Sequence, residues 1–446
     1  MERVGKSVAS NHSETDEKYL WHHLKPYNPE ATMIAESSSG AWVTTDQGET
    51  FLDGMSGLWC ANIGYGREEL AQTAFDQMKK LSYFPLSHSH QPAIDLAEKI
   101  SDWLGGDYVV FFSNSGSEAN ESAFKIARQY HQQTGNKGKY KFISRYRGYH
   151  GNTSAALAAT GQFQRKYLYE PLAPGFLHVH PPDSYRDEPY VDRANEMDLM
   201  MKYETSESIA GVIMEPIISG GGILIPPDDY MTKVKKICEE HHALLIADEV
   251  VCGFGRMGEK FGHQHYGVKP DIVTMAKGLT GGYLPLSATA VRRDIYESFN
   301  GDGEFDFLRQ NNTFGGHPVS CAVALKNLEI LERENLVEQS NVLGEKLLTE
   351  LKELEAMNNV GNVRGKGLMI GMELVTDKMS KEPIDVEKVN QVIAACKNRN
   401  VIIGKNGVTA AGFDNVLTVA PPLSITDQDL VYIVKVLKES VTEVLT

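Results

Sequence analysis

The sequence predicts an α/β protein: a large domain with a mostly parallel sheet covered by helices, and a smaller α+β domain. Two patterns lead there. Short apolar runs near Val109, Phe142, Val212, Leu245, Ile272 and Ala288 alternate with helix-periodic segments such as 228–242. Beyond about residue 317 the pattern changes. A long helical region extends to about residue 357, with a break near Glu334 and Asn335, and short strands at 368–374, 401–403 and 416–419 then alternate with helices. The first pattern argues for a doubly covered sheet whose ligands bind at the carboxyl ends of its strands. No internal repeat, low-complexity tract or long linker interrupts the 446 residues, which suffice for two or three domains with a large core.

In chain order, the first informative element is VVFFSNSGSEANESAFKIARQY. The run from Val109 to Phe112 reads as a buried strand, and Ala119, Ala123, Phe124, Ala127 and Tyr130 share one helical face. Ser115 and Glu118 have capping-box spacing, which starts a helix there. Gly116 allows close approach of a ligand, Ser117 adds a hydroxyl, and free N–H groups at a helix start favour a phosphate dianion. The next elements are SRYRGYHGNT, with Tyr149 and His150 after a short strand, and GVIMEPIISGGG, with Glu215 at a strand end. In LLIADEVVCGFGRMG, Asp248 ends an apolar run, and in DIVTMAKGLTGG, Lys277 ends another. Thr313, in NNTFGGHPVS, precedes a long helix and offers a hydroxyl to phosphate. A carboxylate and an amine at the tips of buried strands are the pair that pyridoxal 5'-phosphate (PLP) chemistry requires. The amine condenses with the cofactor aldehyde, and the carboxylate keeps the ring nitrogen protonated.

Together, the S-G-S-E-A-N, Y-H-G, E-P, D-E-V-x-x-G-F-G-R and K-G-x-x-G-G-Y-x-P-L elements resemble the class III (subgroup II) PLP-dependent aminotransferases. The resemblance runs from GLWCANIGYG near residue 60 to VLTVAPPL near residue 420. It implies the fold-type I PLP-transferase architecture, with residues 1–75 contributing to the small domain, 76–325 forming the cofactor domain and 326–446 the C-terminal small domain. It also implies catalytic roles for Lys277 and Asp248. Ser115, Gly116, Ser117, Tyr149, Glu215, Val250 and Thr313 would hold the cofactor, with Val250 on the ring face opposite Tyr149. The implied assembly is a homodimer, alone or paired into a dimer of dimers. In it, Thr313 reaches the phosphate bound by the other subunit, and Tyr83 and Phe84 enter the partner's substrate pocket.

Substrate choice leaves traces as well. Glutamate-using members carry an arginine before the apolar-Pro-Pro segment; here Thr418 stands there, and a hydroxyl cannot replace a bidentate guanidinium. Trp59, after Leu58, resembles the tryptophan of ω-transaminases of the amine–pyruvate type. With Tyr149 and the partner's Phe84 it would wall an apolar pocket. The loop GKNGVTAAGFDN lacks the mobile arginine of many ω-transaminases, leaving Lys405 as its only cation and Arg147 as another candidate for a carboxylate or sulfonate. Met257 stands where the family usually has threonine, Arg256 reads as structural, and the glycines around Lys277 allow tight turns. The expected activity is amino transfer from an ω-amino acid or arylalkyl amine to a keto acid, pyruvate. A glutamate/2-oxoglutarate enzyme, an aminomutase or decarboxylase, and a non-catalytic homologue remain alternatives.

Composition agrees. Forty-four basic and 59 acidic residues give a net charge of −15 without a basic cluster, which argues against nucleic acid or anionic membrane as partner. Five scattered cysteines without a C-x-x-C pair give no metal framework and fit a reducing compartment. The polar N-terminus lacks a secretory apolar core, and no apolar stretch reaches the length of a membrane span. A cytoplasmic protein is the expectation.

Overall fold

The computed structural model describes residues 4–23, 28, 32–188, 191–410 and 412–446. Residues 1–3, 24–27 and 29–31 of the expected N-terminal segment, and Ala411 of the GKNGVTAAGFDN loop, lie outside the described residues.

A two-residue alternation builds the central sheet. In the strand Leu244–Asp248, Leu244 and Ile246 pack with Phe124 and Ala127 of the helix Gly116–Gln133. Leu245 and Ala247 pack on the opposite face with Met231, Val234 and Cys238 of the helix Tyr230–Glu240. Both faces are buried, so the strand reads as a continuous apolar run. Its sheet has seven strands, in the order Tyr108–Ser113, Ser287–Arg292, Ile272–Met275, Leu244–Asp248, Ile209–Met214, Lys141–Arg145 and Phe176–Val179. The last five run parallel, whereas Ser287–Arg292 is antiparallel to both neighbours. All six expected strands are present. The seventh, Phe176–Val179, went unread because it is a four-residue strand at the sheet edge between proline-rich segments.

The remaining strands form two smaller sheets. Ala35–Ser39, Trp42–Thr45 and Thr50–Asp53 form an antiparallel ribbon, and Val401–Ile402 pairs parallel to Thr50–Asp53, so the two ends of the chain share one sheet. Val360–Gly365, Ile370–Leu374, Val416–Val419 and Gly404–Lys405 make the other. The N-terminal ribbon and Val360–Gly365 also escaped the sequence reading. Both are short, and Ala35–Ser39 is exposed along its whole length and carries no hydrophobic alternation. The long helical region is two helices, Pro318–Arg333 and Leu336–Lys352. They meet at Asn335, whose φ of 52° is the left-handed conformation that breaks a helix. Pro318–Arg333 continues unbroken through residue 325. Among the described residues, no helix is long and apolar enough to cross a membrane.

Candidate active site

Sheet register brings the chemistry together. Asp248 ends its strand opposite Thr274 of the parallel neighbour, and Lys277 follows three residues later in a short 3-10 turn, Lys277–Leu279. On the other side, Met214 pairs with Ala247, so Glu215 emerges beside Asp248. Three chemistry-bearing side chains therefore converge on the carboxyl edge of one sheet, where open α/β folds bind ligands.

Asp248 is buried and tightly held. Its Oδ2 accepts from His150 Nδ1 at 2.8 Å and from Asn120 Nδ2 at 2.9 Å, and its Oδ1 accepts from the Val250 backbone N–H at 3.1 Å. Asn120 is oriented in turn: its Oδ1 accepts from Thr274 Oγ1 at 2.7 Å, and its Nδ2 also donates to the His150 carbonyl. Glu215 Oε1 accepts the Tyr149 N–H at 3.1 Å, while Oε2 accepts from Ser219 N and Oγ. Burial pushes the Glu215 carboxyl above the usual carboxylate range. Lys277 has a φ of 41°, a strained region for a side-chain-bearing residue. Asn327, on the helix Pro318–Arg333, holds the turn by donating to the carbonyls of Gly278 at 2.8 Å and Leu279 at 3.0 Å. Among the described residues the Lys277 amine has no hydrogen-bond or ion-pair partner.

Ser115 caps the helix Gly116–Gln133 by accepting from Glu118 N. The expected capping box is shifted by one residue: Glu118 reaches back to the backbone and side chain of Asn114 rather than to Ser115. Gly116 sits in a tight space, because a β-carbon there would stand 3.0 Å from both Val250 methyl carbons. Val250 therefore lies against the N-terminus of the helix. Ser117 Oγ is engaged with Asn152. Tyr149 is half-buried, and the Arg165 guanidinium lies 5.3 Å from its ring centre.

The residues expected on the substrate side separate into two groups. Trp59 is buried, with a positive φ, next to a 63 % exposed Leu58. Tyr83, Phe84 and Thr313 are exposed; Tyr83 donates to the Thr313 carbonyl at 2.8 Å and packs edge-on to the exposed Phe314. The structure does not leave Lys405 or Arg147 free to take an acidic group. Lys405 is paired with Asp414 at 3.0 Å. Arg147 is buried, paired with Asp183 at 3.0 Å and bonded to the Gly221 carbonyl. Thr418 is 1 % exposed; its hydroxyl contacts Met55 Sδ, and a β-carbon on Gly404 would come within 2.7 Å of it. Arg256 stitches the loops together through Leu368 O, Pro421 O, Ser56 Oγ and Asn62 Oδ1. Met257 is core, its sulfur filling the space over Gly262.

With this geometry in view, the sequence model of the family "Aminotransferase class-III" matches residues 25–441. The chain belongs to the class III aminotransferases. It is 61 % identical to the uncharacterized aminotransferase YhxA of Bacillus subtilis, covering 99 % of each chain. It is 41 % identical to the taurine–pyruvate aminotransferase of Bilophila wadsworthia, covering 96 % of each. A solved Bacillus anthracis aminotransferase superposes with a TM-score of 0.96 at 56 % identity, over 99 % of this chain and 100 % of that one. The architecture is thus that of a fold-type I PLP-dependent transaminase.

A class III aminotransferase is PLP-dependent, and the residues present fit that cofactor. The donor set is an amine without a partner among the described residues, a buried carboxylate held by three N–H groups, and the N-terminus of an 18-residue helix. Sequence reasoning assigned no role to Asn120, His150, Thr274 or Asn327. Their signal was faint but present: an Asn and a Thr inside buried, otherwise apolar elements need a hydrogen-bond partner.

Proposed function

We propose that this class III aminotransferase is an ω-aminotransferase that moves an amino group from an ω-amino acid or arylalkyl amine to pyruvate. The buried Thr418 carries this reading. The position where glutamate-using members hold an arginine is closed by Met55 and Gly404, so no guanidinium awaits a 2-oxoglutarate carboxylate there. The taurine–pyruvate relative supports pyruvate as acceptor.

Bound PLP supplies the aldehyde that carries the amino group and a ring that takes up the electrons left when a C–H proton departs. The side chains do the rest. Lys277 Nζ is the base that takes the proton from the amine-bearing carbon and hands it on. The Asp248 carboxylate keeps the ring nitrogen it would face protonated. His150 and Asn120 hold that carboxylate in place, as a buried ion requires. Val250 and Tyr149 would flank the ring, with Glu215 fixing the Tyr149 backbone. The N-terminus at Gly116 and the hydroxyls of Ser115 and Ser117 would receive the phosphate. A second copy of the chain would bring Thr313 to that phosphate, and Tyr83 and Phe84 to the pocket of Leu58 and Trp59. The exposure of Thr313, Tyr83 and Phe84 supports that assembly.

The test is a half-reaction on the purified yellow holoenzyme with β-alanine, taurine, 1-phenylethylamine or glutamate added separately. Loss of the cofactor absorbance with an ω-amino or arylalkyl donor, restored by pyruvate, is the expected result. Loss with glutamate alone, restored only by 2-oxoglutarate, would overturn it.

A further inference from the structure

The cations around the site differ in what they are free to do. Arg147 is neutralised by Asp183, and Lys405 by Asp414. Arg256 is spent on backbone and side-chain oxygens. Lys166 Nζ stands 3.1 Å from His178 Nε2. Lys277 is required for the chemistry itself.

Arg165 remains. It lies on the short helical turn Phe163–Lys166, its guanidinium over the ring of Tyr149, whose own N–H is fixed by Glu215. Its Nε is buried without a hydrogen-bond partner, and among the described residues the guanidinium makes no ion pair. Its position is anchored from both sides: the Gln162 amide donates to the Arg147 carbonyl, and Gln164 Oε1 accepts from Val408 N. A buried donor left unpaired is costly. An oxyanion bonded by the guanidinium fork removes that cost, with two parallel N–H groups matched to two oxygens.

We propose that Arg165 receives the acidic group, carboxylate or sulfonate, of donor and acceptor in turn, the function assigned in relatives to an arginine that this chain lacks. This assignment rests on the pyruvate-using reading. A ping-pong enzyme passes both substrates through one site, so one guanidinium beside Tyr149 serves both. Arylalkyl amines without an acidic group bypass it.

The experiment measures half-reaction rates of holoenzyme with β-alanine, taurine and 1-phenylethylamine for wild type, Arg165→Gln and Arg165→Lys. Cofactor absorbance is recorded first to show that each variant is loaded. In Arg165→Gln, the ratio of kcat/KM for β-alanine or taurine to that for 1-phenylethylamine falls about tenfold to a hundredfold, the usual span for losing a charge-assisted pair. The loss resides in the half-saturating concentration rather than the limiting rate, and Arg165→Lys recovers part of the ratio. An unchanged ratio in both variants overturns the proposal, as does an equal loss for all three donors. Failure of the wild type to be restored by pyruvate is a different outcome, and it removes the reading on which the proposal stands.

Discussion

Asp248 shows how one residue acquires its chemistry from its neighbours. A carboxylate at a strand tip is ordinarily solvated. Here it is buried and bonded by His150, Asn120 and the Val250 N–H, so its oxygens are fixed in direction. Thr418 is the complementary case, a small residue in a space that admits nothing larger. Thr418→Arg forces a long charged side chain into the packed space among Met55, Gly404 and the strand Ile370–Leu374. The expected outcome is a loss of about 3–5 kcal/mol of stability without any gain of 2-oxoglutarate use. Thermal unfolding and the glutamate half-reaction check the two parts. A stable variant that accepts 2-oxoglutarate would mean that the site opens more readily than this packing allows.

Among the elements, the turn that carries Lys277 depends on the helix behind it, because the Asn327 bonds to Gly278 and Leu279 hold a strained backbone in place. The loop after Glu215 depends on arginines in a similar way. Arg147 bonds to the Gly221 carbonyl, and Arg364 bonds to those of Gly222 and Ile223. Arg364 and Arg186 both pair with Glu373, which is fully buried on the strand Ile370–Leu374. Burial raises the Glu373 carboxyl, but Arg364 and Arg186 outweigh it and hold it below its ordinary value. A folded state that favours the ionised form is stabilised above the unfolded value, about 4.3 for a glutamate. That stabilisation is lost as pH falls through the lowered folded value. Glu373→Gln is therefore expected to lower Tm at neutral pH, by the equivalent of about 3–5 kcal/mol for a broken buried pair, and to flatten the fall of Tm on acidification. Calorimetry from pH 7 down to pH 3 measures both. A variant with the same acid slope as the wild type would rule out Glu373 as a source of that slope.

At the scale of the whole molecule, the site as one chain presents it has a conspicuous exposed side. Tyr83, Phe84 and Phe314 are exposed large apolar side chains, with Tyr83 packed edge-on to Phe314, and exposed apolar surface of this kind marks an interface. Under the proposed dimer these residues are covered, and Thr313 joins a cofactor site not its own. Sedimentation of the purified protein at twice the mass of the 446-residue chain is the expected outcome. A fully active monomer would contradict it. The meeting of chain ends in one small sheet, Thr50–Asp53 beside Val401–Ile402, is also a property of the whole.

The linear sequence by itself determined the family and the parallel sheet, and it put Asp248 and Lys277 at the carboxyl edge of that sheet. Each rests on local patterns: apolar runs of strand length, a capping serine, and glycines where backbone and side chain crowd, as at Gly116. What tertiary structure decided is which charges are free. Lys405 and Arg147 looked available along the chain, but Asp414 and Asp183 neutralise them. Arg165 attracted no notice until folding set it over Tyr149. Asn120, Thr274 and Asn327 likewise gain meaning only from contacts across long separations. Apolar periodicity is written along the chain because burial acts on each side chain nearly independently. Charge pairing is not, because it depends on the few ångströms between groups that only the fold brings together.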